Sequence, residues 1–374
     1  MKFIVIAQHD PNVFSNMYLL ARQLADAGDE VIFLSPIAPR ATGVSSEGID
    51  FIQIPTHEGL AGKLPLIRSN YHTLISVFLR ERPDWIIAQH EYIVPATLYR
   101  ILPGSRARVA ACFVDFHGAR RYVQAMKPLA GAIDAYVDVC DMRVEWQKEV
   151  WPRMTAPSFV VRTAPLRQTG RAFEAHDGAA KVVLTASAPM ILKVADPARF
   201  SRFATRLCER GVSLSWYIIA DDKVRAAARA LCTHPLFKVL DPLPKAELVD
   251  ALRGYDVGLF WSPMADCDPT SAQHRSVFIS AASNKIAEYI AAGLMVAHTG
   301  NPGLAYLPQE LCIALDGQDP QKAADRLVAA IANRSEVERR RRAALCYHQS
   351  EMNFEAQVAP FLRYLKERSA RPQG

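Results

Sequence analysis

The sequence predicts an α/β protein built from two doubly wound domains. A length of 374 residues suits about two domains. Short runs rich in Val, Ile and Phe alternate with amphipathic stretches, and a polar stretch at 167–180 interrupts this alternation once. Because strand–helix–strand alternation favours a parallel sheet covered on both faces, each half of the chain predicts one such sheet.

The first half predicts six buried strands with helices between them. Gly28 ends the first helix and Pro83 stops a later one. The predicted strands are Phe3–Ala7, Val31–Ser35, Phe51–Ile54, Trp85–Ala88, Val109–Val114 and Ala135–Val139, and the clearest helices are Ser15–Ala27 and Tyr71–Arg82.

The alternation restarts after residue 180. The predicted strands are Lys181–Ala186, Leu214–Ala220, Phe237–Leu240, Val257–Trp261 and Met295–His298, and the helices are Arg199–Arg210, Val224–Cys232, Lys245–Gly254, Asn284–Ala292 and Pro320–Asn333. The predicted organisation is a first domain at 1–166, a linker at 167–180, a second domain at 181–350 and a terminal helical segment at 351–374. The basic stretch Arg339–Arg342 predicts a solvated helix face.

The uneven distribution of basic residues along the sequence indicates which classes of binding partner are possible. The net charge is +6, and an excess of six basic residues lies between Arg100 and Arg171. Such a face attracts an anionic membrane surface or a phosphorylated substrate, or it is solvated without a partner. Nucleic acid is disfavoured, because no recognition motif accompanies the charge. No apolar run approaches the roughly 20 residues that span a bilayer, so we expect a cytoplasmic protein.

The sequence lacks several common catalytic motifs. There is no G-x-G-x-x-G after the first strand, no P-loop, no H-E-x-x-H and no G-x-S-x-G. The seven cysteines contain no C-x-x-C pair, and the loop Asp266–His274 has no common metal-ligand spacing. We therefore expect neither a metal nor a resident cofactor. Ligands of such α/β domains bind at the carboxyl ends of the strands.

The most informative segment is 283–304, SNKIAEYIAAGLMVAHTGNPGL. Ser283 and Asn284 begin a helix whose first turns carry Lys285 and Glu288, and Gly293 ends it. Free N–H groups and a lysine at a helix N-terminus suit a diphosphate. A carboxylate one turn further can accept two hydrogen bonds from a vicinal diol such as ribose. Ordinary surface charge on a capped helix is the alternative interpretation.

This segment resembles the signature of glycosyltransferases of the GT-B fold, above all the retaining family-4 group. The match comprises Asn284, Lys285, Glu288, Tyr289, Ala291, Ala292, Gly293, Val296 and Ala297, with Met295 where proline is usual. The preceding segment 237–263 also resembles this group. The resemblance implies two Rossmann-like domains that face a central cleft, with the acceptor in the first domain and the nucleotide-sugar in the second. It also implies that the C-terminal helix crosses back to the first domain.

The resemblance further implies a set of donor-binding residues. Glu288 matches the glutamate that holds the ribose, whereas the family's first glutamate falls on Ser280, in a loop whose hydroxyls would contact the donor instead. Lys193 matches the diphosphate lysine, and the expected arginine is absent, so Arg275 or Lys285 would supply the second cation. Ser283 and Asn284 complete this predicted site.

The first domain carries predicted acceptor and catalytic residues. His117 ends a buried strand in VDFHG, where the resemblance places a histidine that contacts the donor sugar. Asp10 and Asn12 follow the first strand as acceptor contacts, with Asp10 the base of an inverting reaction. Asn16 either contacts the acceptor or caps the following helix. At the next strand end, His90 and Glu91 are further acceptor candidates.

The leading hypothesis is a metal-independent glycosyltransferase that moves a sugar from a UDP- or GDP-sugar to a saccharide, lipid-linked or other hydroxyl acceptor, with retention. Its setting would be bacterial envelope polysaccharide or glycoconjugate synthesis, with peripheral membrane contact through residues 100–171. Two alternatives stay open. One is a nucleotide-sugar 2-epimerase of the same fold, and the other is a degenerate partner subunit, which Ser280 motivates.

Overall fold

The computed structural model describes residues 1–8, 16–36, 47–54, 65–114, 120–168, 175, 178–186, 191–192, 196–262 and 283–370. Side chains are described throughout these ranges except at 65–70, 120–122, 245–246 and 370. Contacts divide the chain into two compact units. Unit 1 comprises residues 1–163 and 354–374, and unit 2 comprises residues 164–353.

Unit 1 contains a seven-stranded, entirely parallel sheet. Its strands are β1 (Lys2–Ile6), β2 (Glu30–Ser35), β3 (Ile49–Gln53), β4 (Trp85–Gln89), β5 (Arg108–Phe113), β6 (Ala135–Asp138) and β7 (Ser158–Val160). Its helices are α1 (Asn16–Asp26), α2 (Pro65–Glu81), α3 (Ile93–Arg100), α4 (Arg120–Met126), α5 (Asp141–Val150) and the terminal α12 (Phe354–Ala370). The strand order is β3-β2-β1-β4-β5-β6-β7.

Hydrophobic burial holds helices on both faces of this sheet. Alternate strand residues supply two separate apolar clusters, one of which includes α1 and α12. Phe354, Val358, Phe361 and Leu365 carry α12 into that cluster at the helical spacing of three and four residues. The terminal helix is therefore part of the core of unit 1.

Unit 2 contains a six-stranded parallel sheet of the same type. Its strands are β8 (Lys181–Thr185), β9 (Ser213–Tyr217), β10 (Phe237–Leu240), β11 (Val257–Phe260), β12 (Met295–His298) and β13 (Cys312–Ala314), in the order β10-β9-β8-β11-β12-β13. Its helices are α6 (Pro197–Glu209), α7 (Asp222–Ala230), α8 (Lys245–Leu252), α9 (Asn284–Ala291), α10 (Pro320–Ala332) and α11 (Arg334–Ser350).

The fold confirms the predicted α/β class. Every predicted strand is present within a few residues of its predicted bounds. The patterns missed the short edge strands β7 and β13 and the helices α3, α4 and α5. Three-residue strands such as Ser158–Val160 are too short to show a hydrophobic period.

The expectation of a solvated face at Arg339–Arg342 is wrong for Arg341. Its side chain is only 2% exposed; its Nε donates to the carbonyl of Gly293, and its Nη1 lies 3.6 Å from the buried carboxylate of Asp256. Arg334 donates to the same carboxylate. A buried arginine needs such partners, because an unpaired charge in the core is strongly destabilising. This basic stretch therefore attaches α11 to the core of unit 2.

Candidate functional site

Each sheet has one place where the strand order reverses. In unit 1 the order reverses between β1 and β4, and in unit 2 between β8 and β11. Connections leave in opposite directions there and open a crevice at the carboxyl ends of the two strands. Ligands of doubly wound sheets bind in this crevice. The side chains at these two places are therefore the candidate functional residues.

In unit 2, α9 begins at the carboxyl edge of the sheet. Ser283 has extended backbone (φ −71°, ψ 118°), Asn284 is the first helical residue, and the Ser283 side chain forms no capping bond within the described residues. Gly293 ends the helix with a φ of +69°, as predicted, and Leu294 N donates to the carbonyl of Tyr289. The first-turn N–H groups of α9 thus have no side-chain cap from Ser283, as an anion site requires.

Lys285 and Glu288 lie on the first turns of α9. Glu288 is buried, at 8% exposure, and Lys285 is half-buried. Burial lowers the pKa of the Lys285 ammonium, while the carboxylate of Glu288 acts in the opposite direction. A desolvated cation and a buried carboxylate, both at a helix N-terminus, bind ligands more strongly than solvated surface charges do.

Tyr289 fixes α9 against the sheet. Its hydroxyl accepts hydrogen bonds from the Thr185 backbone N–H (2.8 Å) and hydroxyl (3.0 Å), and donates to the Leu259 carbonyl (3.2 Å). Its ring packs directly on Gly258, where a Cβ would overlap the ring atoms. Burial raises the pKa of Tyr289, so the hydroxyl stays protonated. This contact spans β8 and β11 and positions the N-terminus of α9.

The loops beside α9 add polar groups that sequence reasoning missed. Ser262 N, after β11, donates to the hydroxyl of Thr299 (3.0 Å), after β12. His298 Nδ1 accepts from Gly300 N, and burial lowers the pKa of this imidazole, which favours its neutral form. The signal that could have found these residues is their place at strand ends, in WSP and HTGN.

In unit 1, two glutamines and a glutamate meet at the reversal point. Gln8 N donates to Gln89 Oε1 (2.8 Å), and Gln8 Nε2 donates to Glu91 Oε1 (2.6 Å). His90, between the last two, is fully buried and has a φ of +50°, a conformation that costs energy for any residue but glycine. Sequence reasoning predicted His90 and Glu91 but missed Gln8 and Gln89.

Asn16 lies at the start of α1, and its Nδ2 donates to the hydroxyl of Thr163 (2.7 Å). Its side chain lines a small, mostly apolar cavity together with Asp138. Asp138 forms an ion pair with Arg143 (3.0 Å) and accepts from Gln147 (2.7 Å), yet burial raises the pKa of its carboxyl to about 6. Arg143 also donates to the carbonyls of Phe113 and Val114 at the end of β5.

The remaining predicted site residues lie outside the described residues. They are Asp10, Asn12, His117, Lys193, Arg275 and Ser280, and the loop Asp266–His274 lies there too. In the parts of the chain that are described, no group of three His, Cys, Asp or Glu side chains could hold a metal ion. Over the same ranges, no helix is long and apolar enough to cross a membrane.

Comparison with known proteins shows a likeness of structure and not of sequence. No protein-family model and no curated protein matches this chain. A glycosyltransferase from Rickettsia africae superimposes with a TM-score of 0.74 at 10% identity, over 99% of both chains. Anabaena HepE in complex with UDP-glucose gives 0.66 at 9% identity, over 98% of this chain and 100% of that one.

A provisionally assigned UDP-N-acetylglucosamine 2-epimerase from Listeria monocytogenes gives a TM-score of 0.63 at 13% identity, over 100% of this chain and 97% of its own. Each of these superpositions covers at least 97% of both chains. At identities this low, the likeness establishes architecture alone. The chain therefore has a GT-B fold.

Proposed function

We propose that this protein is a nucleotide-sugar-dependent glycosyltransferase whose donor site lies in unit 2. The observation that carries the proposal is the start of α9, where Lys285 and buried Glu288 accompany helix N–H groups that the Ser283 side chain does not cap, at the carboxyl edge of the sheet. In the proposed site the diphosphate binds the N–H groups and Lys285, and Glu288 accepts hydrogen bonds from the two ribose hydroxyls. Ser283 and Asn284 contact the phosphates.

The GT-B fold and a neighbouring structure that contains UDP-glucose support a UDP- or GDP-sugar as the donor. In the proposed reaction the bond between the anomeric carbon and the diphosphate oxygen breaks, and the acceptor oxygen bonds to that carbon. For retention, the acceptor proton passes to the leaving phosphate oxygen on the same face. The developing phosphate charge is stabilised by Lys285 and the helix N-terminus, with no metal needed. Lys193, Arg275, Ser280 and His117 remain proposed donor contacts by family resemblance.

Binding of UDP and GDP to the wild type and to Glu288→Gln tests the proposal. Loss of two charge-assisted hydrogen bonds predicts affinity roughly 100-fold weaker, or about 2.7 kcal/mol. Glu247→Gln is the matched control, because Glu247 is a glutamate near the start of another helix of unit 2, but is exposed. Calorimetric titration that finds no nucleotide binding, or equal affinity in Glu288→Gln, would refute the donor site. Absence of binding would favour the degenerate partner subunit.

A nucleotide-sugar 2-epimerase is the second candidate, which the Listeria neighbour favours. Incubation of the protein with a UDP-sugar and no acceptor separates the two activities. An epimerised nucleotide-sugar in the products identifies the epimerase. Free UDP, with the sugar released to water, supports the transferase.

For the acceptor side, we propose that Asn16, His90 and Glu91 of unit 1 contact a hydroxyl-bearing acceptor, together with Asn12 and with Asp10 if the reaction inverts. The basic residues between 100 and 171 would hold the protein on an anionic membrane near a lipid-linked acceptor. Vesicle co-sedimentation tests this contact. Binding to phosphatidylglycerol vesicles should fall as salt rises, and salt-independent binding would refute the electrostatic attachment.

A further inference from the structure

The two glutamines at the reversal point of unit 1 have fixed side-chain orientations. Gln89 Oε1 accepts from the backbone N–H of Gln8, which can only donate. Gln8 Nε2 donates to the carboxylate of Glu91, which can only accept when ionised. If the Gln89 amide were turned over, its Nε2 would face the backbone N–H of Gln8, which is also a donor. If the Gln8 amide were turned over, its Oε1 would face the carboxylate of Glu91, which is also an acceptor. Both assignments therefore follow from the hydrogen bonds themselves.

These orientations leave one donor and one acceptor unused. Gln89 Nε2 and Gln8 Oε1 are buried and have no hydrogen-bond partner among the residues that the structure describes. Gln89 is only 1% exposed. A buried polar group without a partner costs roughly 1–3 kcal/mol, so native proteins rarely keep one unless a ligand or an ordered water occupies the site. The two side chains that carry these groups are linked by the hydrogen bond from Gln8 N to Gln89 Oε1.

The surroundings of this pair suit a neutral, hydroxylated ligand. Glu91, the adjacent carboxylate, is bonded to the Gln8 amide and not to a cation within the described residues. Its negative charge disfavours an anionic ligand. A hydroxyl group donates and accepts at once, and neighbouring hydroxyls of a sugar ring can therefore satisfy an amide N–H, an amide oxygen and a carboxylate together. Buried His90, with its left-handed backbone, fixes the turn that presents Glu91.

We propose that Gln8, Gln89 and Glu91 bind two neighbouring hydroxyl groups of a neutral saccharide in unit 1. Gln89 Nε2 donates to one hydroxyl, while Gln8 Oε1 and the second oxygen of Glu91 accept from both. The saccharide rests on the proposed function, because a glycosyltransferase needs an acceptor with free hydroxyls. The amides then set acceptor specificity, and Glu91 orients the hydroxyl pair.

Saturation-transfer NMR tests this site without any nucleotide. The probes are the methyl glycosides of glucose, galactose, mannose and N-acetylglucosamine. We expect at least one of them to receive saturation from the wild type, and the signal to fall at least about tenfold in Gln8→Met. This variant keeps the backbone bond from residue 8 to Gln89 Oε1, and a circular-dichroism melt verifies its fold. Glu91→Gln keeps the size and removes the charge, and should weaken the signal less.

Gln53→Met is the matched control, because Gln53 also ends a strand at the carboxyl edge of unit 1, and its amide already donates to the carbonyl of Pro36. Its signal should equal that of the wild type. No signal from any of the four glycosides, or an equal signal in folded Gln8→Met, would overturn the inference and leave ordered waters as the occupants. If the wild type binds a saccharide but does not bind UDP, only the proposed donor site is overturned.

Discussion

The reversal points of the two sheets have the same topology and different chemistry. In unit 2, Tyr289 lies at the reversal point, and its hydroxyl forms hydrogen bonds with Thr185 and with the carbonyl of Leu259. In unit 1 two glutamines occupy it, and each keeps one buried polar atom unpaired among the described residues. One set of polar atoms is used to position a helix, and the other is available to a ligand. Strand order locates the candidate site in each unit, and the unpaired polar atoms identify the part of unit 1 that we propose binds a ligand.

Gly258→Ala disrupts the packing of Tyr289 in unit 2, and of the substitutions considered it should lower stability most. The added Cβ would overlap the ring of Tyr289, so the ring and α9 must move. We expect unfolding free energy to fall by about 3 kcal/mol, the upper end of the usual range for overpacking, and nucleotide affinity to fall with it. Urea denaturation and UDP titration measure the two effects.

Gly254→Ala is the control for this substitution. Its Cβ would meet only the carbonyl oxygen of Ala251, at 3.5 Å, on an exposed turn. We expect a change within about 0.5 kcal/mol and normal UDP affinity. Equal stability of the two alanine variants would contradict the role of the Tyr289–Gly258 contact.

In unit 1, the buried carboxyl of Asp138 is paired with Arg143 and Gln147, and its titration should affect the stability of the fold. Its pKa in the folded protein is raised from 3.8 to about 6, first by burial, against the opposing effect of Arg143. The protonated form therefore stabilises the fold. This contribution is complete below about pH 4 and disappears as the pH rises through about 6.

We expect a loss on the order of 2 to 3 kcal/mol of unfolding free energy between these pH values from this one group. Chemical denaturation across the range, compared with Asp138→Asn, isolates the contribution, because the variant cannot titrate. Parallel pH profiles for the two proteins would show that the Asp138 carboxyl titrates normally.

Lys285 tests the proposed nucleotide site of unit 2, and we expect its effect to be modest. Because burial lowers its pKa, the ammonium loses its proton as the pH rises, at a lower pH than an exposed lysine would. With the phosphates already ionised, UDP affinity should therefore decline by about tenfold as the pH rises through the lowered pKa of Lys285. In Lys285→Arg the charge persists, so its affinity should stay constant with pH. A pH-independent wild type would remove Lys285 from the diphosphate site.

Most of the fold was predictable, because predicted strands such as Phe3–Ala7 and Trp85–Ala88 are buried on both faces and therefore appear in the sequence as apolar runs. The end of α9 at Gly293 was predictable from the C-cap preference for glycine. Its start at Asn284 was predictable from the polar residues there, although the Ser283 side chain forms no capping bond within the described residues. The edge strands β7 and β13 were not, because three residues at the edge of a sheet carry too little pattern.

Candidate site residues were predictable from the sequence only where the residue type by itself indicates a role in binding. Glu288 and Lys285 are charged residues in a recognisable motif, whereas Gln8 and Gln89 are common neutral residues. Their significance lies in which atoms remain unpaired, and this depends on the alignment of β1 beside β4. Likewise, the burial of Arg341 depends on Asp256, which is 85 residues away in sequence and adjacent in space.

A crystal structure of the chain with UDP is the most direct test of the proposed donor site in unit 2. We predict diphosphate density at the first turn of α9, within hydrogen-bond distance of its N–H groups and Lys285, and ribose hydroxyls on the carboxylate of Glu288. UDP bound elsewhere in the chain, with no contact between Glu288 and the ribose, would refute this donor site.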